Sequence, residues 1–154
     1  MAHSSFTLDT FINAPPETLR DFLATLDNHP KIHPLIIAVQ HDSSTTTPDG
    51  TPVQYHRITD RMKSGPFTIQ FTYRVTNRVG PEGEIIYEAF QCPGIHLYNT
   101  TFLHPELDGT RLKENVQIDA PALLMRTVYK GAIQSHQEMF ANLKILFEQQ
   151  GEIQ

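Results

Sequence analysis

The chain has 154 residues, a formal charge of −5, twelve Lys and Arg, one cysteine and eight histidines. That length fits one domain, residues 1–154, which can bury a core without disulfides or metals. The scattered basic residues offer no footprint for a phosphate backbone, so nucleic acid is not an expected partner. No apolar run reaches the ~20 residues that span a bilayer, and the start Met-Ala-His-Ser-Ser lacks the basic and apolar segments of a secretion signal, so a cytoplasmic location is expected.

In chain order, Phe6 to Asn13 alternates as a strand whose inner face the pattern leaves open. Ala14-Pro15-Pro16-Glu17 opens a helix: the prolines suit a first turn and Glu17 suits the positive end of the dipole. Leu19, Phe22, Leu23 and Leu26 form its buried stripe, and Pro30 ends it, with at most a short second turn before Pro34. Leu35 to Val39 reads as a strand and the polar run Ser43 to Gly50 as a loop, closed by the turn residues Pro48-Asp49-Gly50. Pro52 to Met62 alternates without a clear apolar face. Phe67, Ile69, Phe71, Tyr73 and Val75 stand in strict alternation against Thr68, Gln70, Thr72, Arg74 and Thr76, which defines a strand. Gly80-Pro81-Glu82-Gly83, Pro93-Gly94 and Leu107-Asp108-Gly109 are turns that separate Glu84–Gln91, Ile95–His104 and Thr110–Ile118.

From Pro121 to Gln150 apolar residues recur every three or four positions: Met125, Val128, Tyr129, Ala132, Met139, Phe140, Leu143, Leu146 and Phe147. Pro121 suits the start of this helix and Gly151 the position after it. At ~1.5 Å per residue the helix is roughly 45 Å long, more than a small domain needs to cap a sheet, so it must lie along a large concave surface. His136 falls in the middle of its apolar face.

The order is therefore a strand, two short helices, a run of strands joined by hairpins and one long helix, an α+β arrangement. Ile12-Asn13-Ala14-Pro15-Pro16-Glu17 with Phe22 and Leu23, followed by Asp27, Pro30 and His33-Pro34-Leu35, resembles the opening strand, helix and turn of one superfamily. Its members include START lipid-transfer domains, plant pollen-allergen relatives and polyketide cyclases or aromatases (SRPBCC). Ile32 stands where many members carry tryptophan. The resemblance covers essentially the whole chain. It implies the helix-grip fold: a curved antiparallel sheet of six to seven strands wrapped around the C-terminal helix, with a mostly apolar cavity between them.

In such a cavity the informative residues are polar ones on apolar faces. Glu114 shares a strand face with Leu112, Val116 and Ile118, while Arg111, Lys113, Asn115 and Gln117 make the other face polar, so Glu114 should point inward. An inward carboxylate loses hydration and needs a partner. Glu114 lies about 17 Å before Asp119 along a strand, and His136 about 22 Å beyond Pro121 along the helix. A reversal between Asp119 and Pro121 puts the two at similar depths. The pair either meets a ligand or ties helix to sheet. Tyr73 and Tyr87 offer a ring to pack and a hydroxyl to direct.

Register decides Tyr87. A loop of five residues after Val79 turns Ile85 and Tyr87 inward, and is preferred because a loop of four would bury Glu88. For Ile95 to His104 both faces stay open, with Asn99 on one of them. The ligand-binding set is thus Phe71, Tyr73, Tyr87, Asn99, Glu114, Val128, Ala132, His136 and Met139.

His29 and His33, four apart but interrupted by Pro30, read as surface turn histidines and not as metal ligands, and no metal or cofactor is called for. His56 and Arg57 alternate on an ambiguous strand, where a solvated charge is the default. Cys92 has no cationic neighbour in sequence that would make it a nucleophile. Three functions compete. The first is a binding or transport protein for a small hydrophobic, lipid-like or polyketide-like ligand. The second is an aromatase or cyclase that uses Glu114 and His136 for proton transfer. The third is an interaction protein with a filled core, like the superfamily's co-chaperone and quinone-related branches.

Overall fold

A computed structural model describes residues 1–152, and the last two positions of the expected 1–154 domain lie outside the described residues. Seven strands form one antiparallel sheet: β1 (Ala2–Ile12), β2 (Ile36–Thr46), β3 (Pro52–Ser64), β4 (Phe67–Val79), β5 (Ile85–Gln91), β6 (Ile95–Glu106) and β7 (Gly109–Ala120). Their spatial order is β1-β7-β6-β5-β4-β3-β2, so every neighbouring pair except β1 and β7 is a hairpin. Helix α1 (Pro16–Ala24) and a 3-10 helix (Leu26–Lys31) follow β1, and α2 (Ala122–Glu152) closes the chain.

Two strands run well past the sequence reading because pairing outweighs local composition. Strand β1 starts at Ala2 instead of Phe6, since β7 offers partners as far as Ala120 opposite Ala2. Ser43 to Thr46 belong to β2 and not to a loop. They pair with β3 through Thr46 opposite Pro52, and as an edge strand with one face in water β2 tolerates a polar sequence. The turn then needs only 47–51, closed by Thr47 N–H donating to the Thr51 carbonyl at 2.9 Å. Helix α2 continues through Gly151, so that glycine lies inside it and not after its end.

The core divides into three groups. One packs α1 and the C-terminal half of α2 on β1, β6 and β7 through Ile12, Leu19, Leu23, Leu112, Phe140 and Leu143. A second seats the N-terminal half of α2 on Phe6, Val116 and Ile118. The third joins Leu26 of the 3-10 helix to Ile36, Ile58 and Val75 across the far side of the sheet. Helix α2 contacts chiefly β1 and β7, the edge where the chain enters it, so β3 to β5 curve past the helix without packing on it. Register shifts in β2 add to that curvature.

Gly109 marks a tight point in this frame. A Cβ there would lie 2.3 Å from the Ile12 backbone oxygen, which cannot withdraw without moving β1. Gly109→Ala should therefore destabilise by about 1–3 kcal/mol, as overpacking does. Urea denaturation measures this, and an unchanged midpoint would show that the β1–β7 end is more pliable than its packing suggests.

Candidate functional site

Between the three core groups lies a cavity of about 350 Å³, within the roughly 300–1,000 Å³ range of small-molecule sites. The core is therefore not filled. The inner face of β6 is Ile95, Leu97, Asn99, Thr101 and Leu103, which resolves the face left open above. Val79 pairs with Ile85, giving the five-residue loop and turning Tyr87 inward. Phe71, Tyr73, Tyr87, Asn99, Glu114, Val128, Ala132, His136 and Met139 all line this one cavity.

Glu114 and His136 meet. Glu114 is only 1 % exposed, and its Oε1 lies 2.6 Å from His136 Nδ1. Its Oε2 accepts from Asn99 Nδ2 at 3.0 Å, and Thr101 Oγ1 donates to Asn99 Oδ1 at 3.4 Å. Burial favours a neutral His136 ring, but the charge and hydrogen bond of Glu114 outweigh it and hold the imidazole above the ordinary histidine value. With Nδ1–H committed to Glu114, Nε2 is the free position. It has no hydrogen-bond partner among the described residues and is not sealed from the cavity. The ring is fixed by edge contacts with Phe6 and with His33, each 6.0 Å between centroids.

His29 and His33 are not surface histidines. The 3-10 helix lies over the open side of the sheet, so both rings line the cavity. His29 Nε2 is 2.9 Å from the Leu23 carbonyl, and its ring stands 5.3 Å from that of Tyr87, whose hydroxyl also donates to Leu23. Burial pushes His29 down to about 4 and His33 to about 3, so both are neutral near pH 7. The short spacing around Pro30 hid this, because burial came from where the turn docks and not from any periodicity. Among the described residues no group of three or more His, Cys, Asp or Glu is placed to hold a metal ion.

A second polar point was missed in the sequence. Asp60 on β3 is 4 % exposed and lines the cavity, its Oδ1 accepting from the Tyr73 hydroxyl at 3.1 Å. Burial raises its carboxyl to about 6, with the Tyr73 hydrogen bond opposing, and burial likewise lifts the Tyr73 phenol. The signal was present as contrast: Arg57, Thr59, Arg61 and Lys63 make one face of β3 hydrophilic, so His56, Ile58 and Asp60 had to take the other. Arg57 indeed points outward to Asp42 at 3.0 Å, and His56 is buried. Cys92 lines the rim.

Exposure along the inner face of β4 falls from 72 % at Phe67 through 45 % at Ile69 to 4 % at Val75, so the tip of the β3–β4 hairpin extends beyond the core into solvent. Asp60 and Phe71 line the cavity on the side of that tip.

An open curved sheet gripping a long C-terminal helix, with a mostly apolar cavity between them, is the helix-grip architecture of START-like proteins. Comparison with solved structures agrees: the chain has the helix-grip fold. It is similar to the di-domain aromatase/cyclase StfQ of the steffimycin biosynthetic pathway, with a TM-score of 0.75 and 13% identity over 97% of this chain and 52% of that one. A START superfamily protein from Mycobacterium smegmatis aligns with a TM-score of 0.71 and 17% identity, covering 96% of this chain and 97% of that one. Ara h 8.0201 aligns with a TM-score of 0.67 and 18% identity over 96% of this chain and 99% of that one. No family model and no curated protein matches the sequence. No helix among the described residues is long and apolar enough to cross a membrane.

Proposed function

We propose that the protein binds or carries a small, largely apolar ligand in the cavity between sheet and α2, and that Glu114 and His136 orient a hydroxyl or carbonyl of that ligand. The observation that carries this reading is the free His136 Nε2, presented on a mostly apolar cavity wall by a buried carboxylate. Burial of the ligand's hydrocarbon supplies affinity at about 25 cal/mol per Å², while the single polar contact supplies orientation.

Native mass spectrometry of the purified protein is expected to show a co-purifying small molecule. 1-Naphthol, a flat apolar ring system with one hydroxyl, serves as a defined probe. Glu114→Gln and His136→Gln should each weaken its binding about tenfold, in line with the loss of one hydrogen bond to a charged group. Gln at either position can still hydrogen-bond across the pair, so both variants should lose less stability than truncation of His136 to Ala does. Parent-like binding by both variants would make the pair a structural tie between helix and sheet.

A second reading, an aromatase or cyclase, is favoured by the same dyad: an imidazole held at Nδ1 by a carboxylate and open at Nε2 is arranged to shuttle a proton in an aldol-type ring closure. The fold neighbours described as aromatase/cyclases support it by analogy alone. Turnover of a model polyketide separates the two, because a binding protein returns its ligand unchanged.

A further inference from the structure

Among the described residues the cavity is lined by two buried carboxylates and by no Lys or Arg. Glu114 is satisfied by His136 and Asn99. Asp60 is not. Its only side-chain partner among the described residues is the Tyr73 hydroxyl, which leaves Oδ2 without a hydrogen bond there although that atom is not sealed. No Lys, Arg or His among the described residues forms an ion pair with it. A buried carboxylate without a cation costs folding free energy, and a ligand that brings the cation removes that cost.

The surroundings fit a nitrogen cation specifically. Asp60 is the direct cross-strand partner of Phe71, and Tyr73 lies on the same face two residues along. The Phe71 and Tyr73 rings are 5.9 Å apart and tilted by 33°, which sets two aromatic rings on the sheet face that carries Asp60. Carboxylate charge plus aromatic faces is the combination that attracts an ammonium group, whereas a carboxylate or phosphate on the ligand would meet only like charge. Asp60 lies on β3 and Glu114 on β7, with β4, β5 and β6 between them, so the two polar points stand on opposite sides of one apolar space.

We propose that the cavity selects apolar ligands that carry a cationic amine, seating the ammonium on Asp60 and the Tyr73 hydroxyl against the Phe71 ring, with the hydrocarbon directed toward the Glu114–His136 pair. This rests on the ligand-binding reading above and adds the chemical class of the ligand. It also predicts discrimination against fatty acids and other anions, which share the hydrocarbon but not the sign.

The test uses the full chain at pH 7.5 and displacement of the neutral fluorophore N-phenyl-1-naphthylamine by octylamine, octanol and octanoate, three chains of similar size differing in charge. Octylamine is expected to compete at least tenfold better than octanol, and octanoate worst. Asp60→Asn, which keeps the shape and the Tyr73 hydrogen bond, should bring the octylamine to octanol ratio to within about twofold of one. The surface control Asp42→Asn should leave the ratio as in the parent. Equal competition by octylamine and octanol in the parent, or an amine preference that survives Asp60→Asn, would overturn the proposal while leaving apolar binding intact. Failure of the fluorophore and of all three chains to bind would overturn the ligand-binding reading and this inference with it.

Discussion

His136→Ala is expected to lower the free energy of unfolding by about 3–5 kcal/mol, the range found when one partner of a buried ion pair is removed. Two effects combine. The variant strands Glu114, 1 % exposed, with Asn99 as its only remaining side-chain partner among the described residues, and it removes the ring packed edge-on against Phe6 and His33. Urea denaturation at pH 7 measures the loss. Replacing both members by apolar residues, Glu114→Leu with His136→Met, should recover most of it, because desolvating the pair offsets much of its mutual attraction. The same double variant should bind 1-naphthol poorly, which separates the pair's role in the cavity from its role in the fold. A loss below about 1 kcal/mol in His136→Ala would mean that Glu114 is not held there as an ion.

Stability should peak near pH 6.5 and fall in acid, with the slope set by the cavity. His29 and His33 take up protons in the unfolded chain below their ordinary 6.5, but in the folded protein only near 4 and 3. Their contribution is therefore full above pH 6.5 and is lost as pH falls from there toward 4, at about 1.4 kcal/mol per pH unit for each proton. His56, lowered chiefly by burial, acts in the same direction.

Asp60 opposes them. Its carboxyl is at about 6 in the folded protein against 3.8 ordinarily, so its stabilisation is full below 3.8 and is lost as pH rises through 6. One net proton or more remains, giving an acid slope of at least about 1.4 kcal/mol per unit between pH 6 and 4. On the alkaline side His136, raised by Glu114, stabilises below 6.5 and loses that contribution as pH rises through its folded value. Asp60→Asn removes the opposing carboxyl. It should stabilise the protein by about 2–3 kcal/mol at pH 7, no longer do so at pH 4, and steepen the acid slope by one proton. Denaturation between pH 4 and 8 checks all three, and coincident parent and Asp60→Asn profiles would show that Asp60 is hydrated in the folded protein.

Much of the site was legible because it sits on elements of strict period. The inward direction of Glu114 followed from β7, where the opposite face carries Arg111, Lys113, Asn115 and Gln117. The place of His136 followed from the apolar stripe of α2. Their contact could be anticipated because only the turn between Asp119 and Pro121 separates the two elements, so rise per residue fixes their relative depth. Tyr87 required a choice of loop length, and burial of Glu88 was the cost that decided it. His29 and His33 were out of reach and Asp60 was passed over, for two different reasons. The histidines lie in a proline-broken turn whose burial depends on docking over the sheet, and Asp60 lies on a strand whose inner face mixes His56, Ile58 and a carboxylate and so shows only as the contrast to a hydrophilic outer face.

The α+β order, the stripe of α2 and the inward carboxylate of β7 are readable from residues alone, since each rests on local periodicity or on spacing across one short turn. The helix-grip expectation came from the resemblance of the opening strand, helix and turn to a known superfamily. Only the tertiary structure decided how far β1 and β2 extend, which face of β6 is inner, and that α2 leans on β1 and β7 while β3 to β5 curve away. Those outcomes depend on pairing between distant strands and on sheet curvature. That curvature turned an amphipathic helix over a sheet into one wall of a cavity, and brought Asp60 and the two turn histidines to the same space as Glu114 and His136.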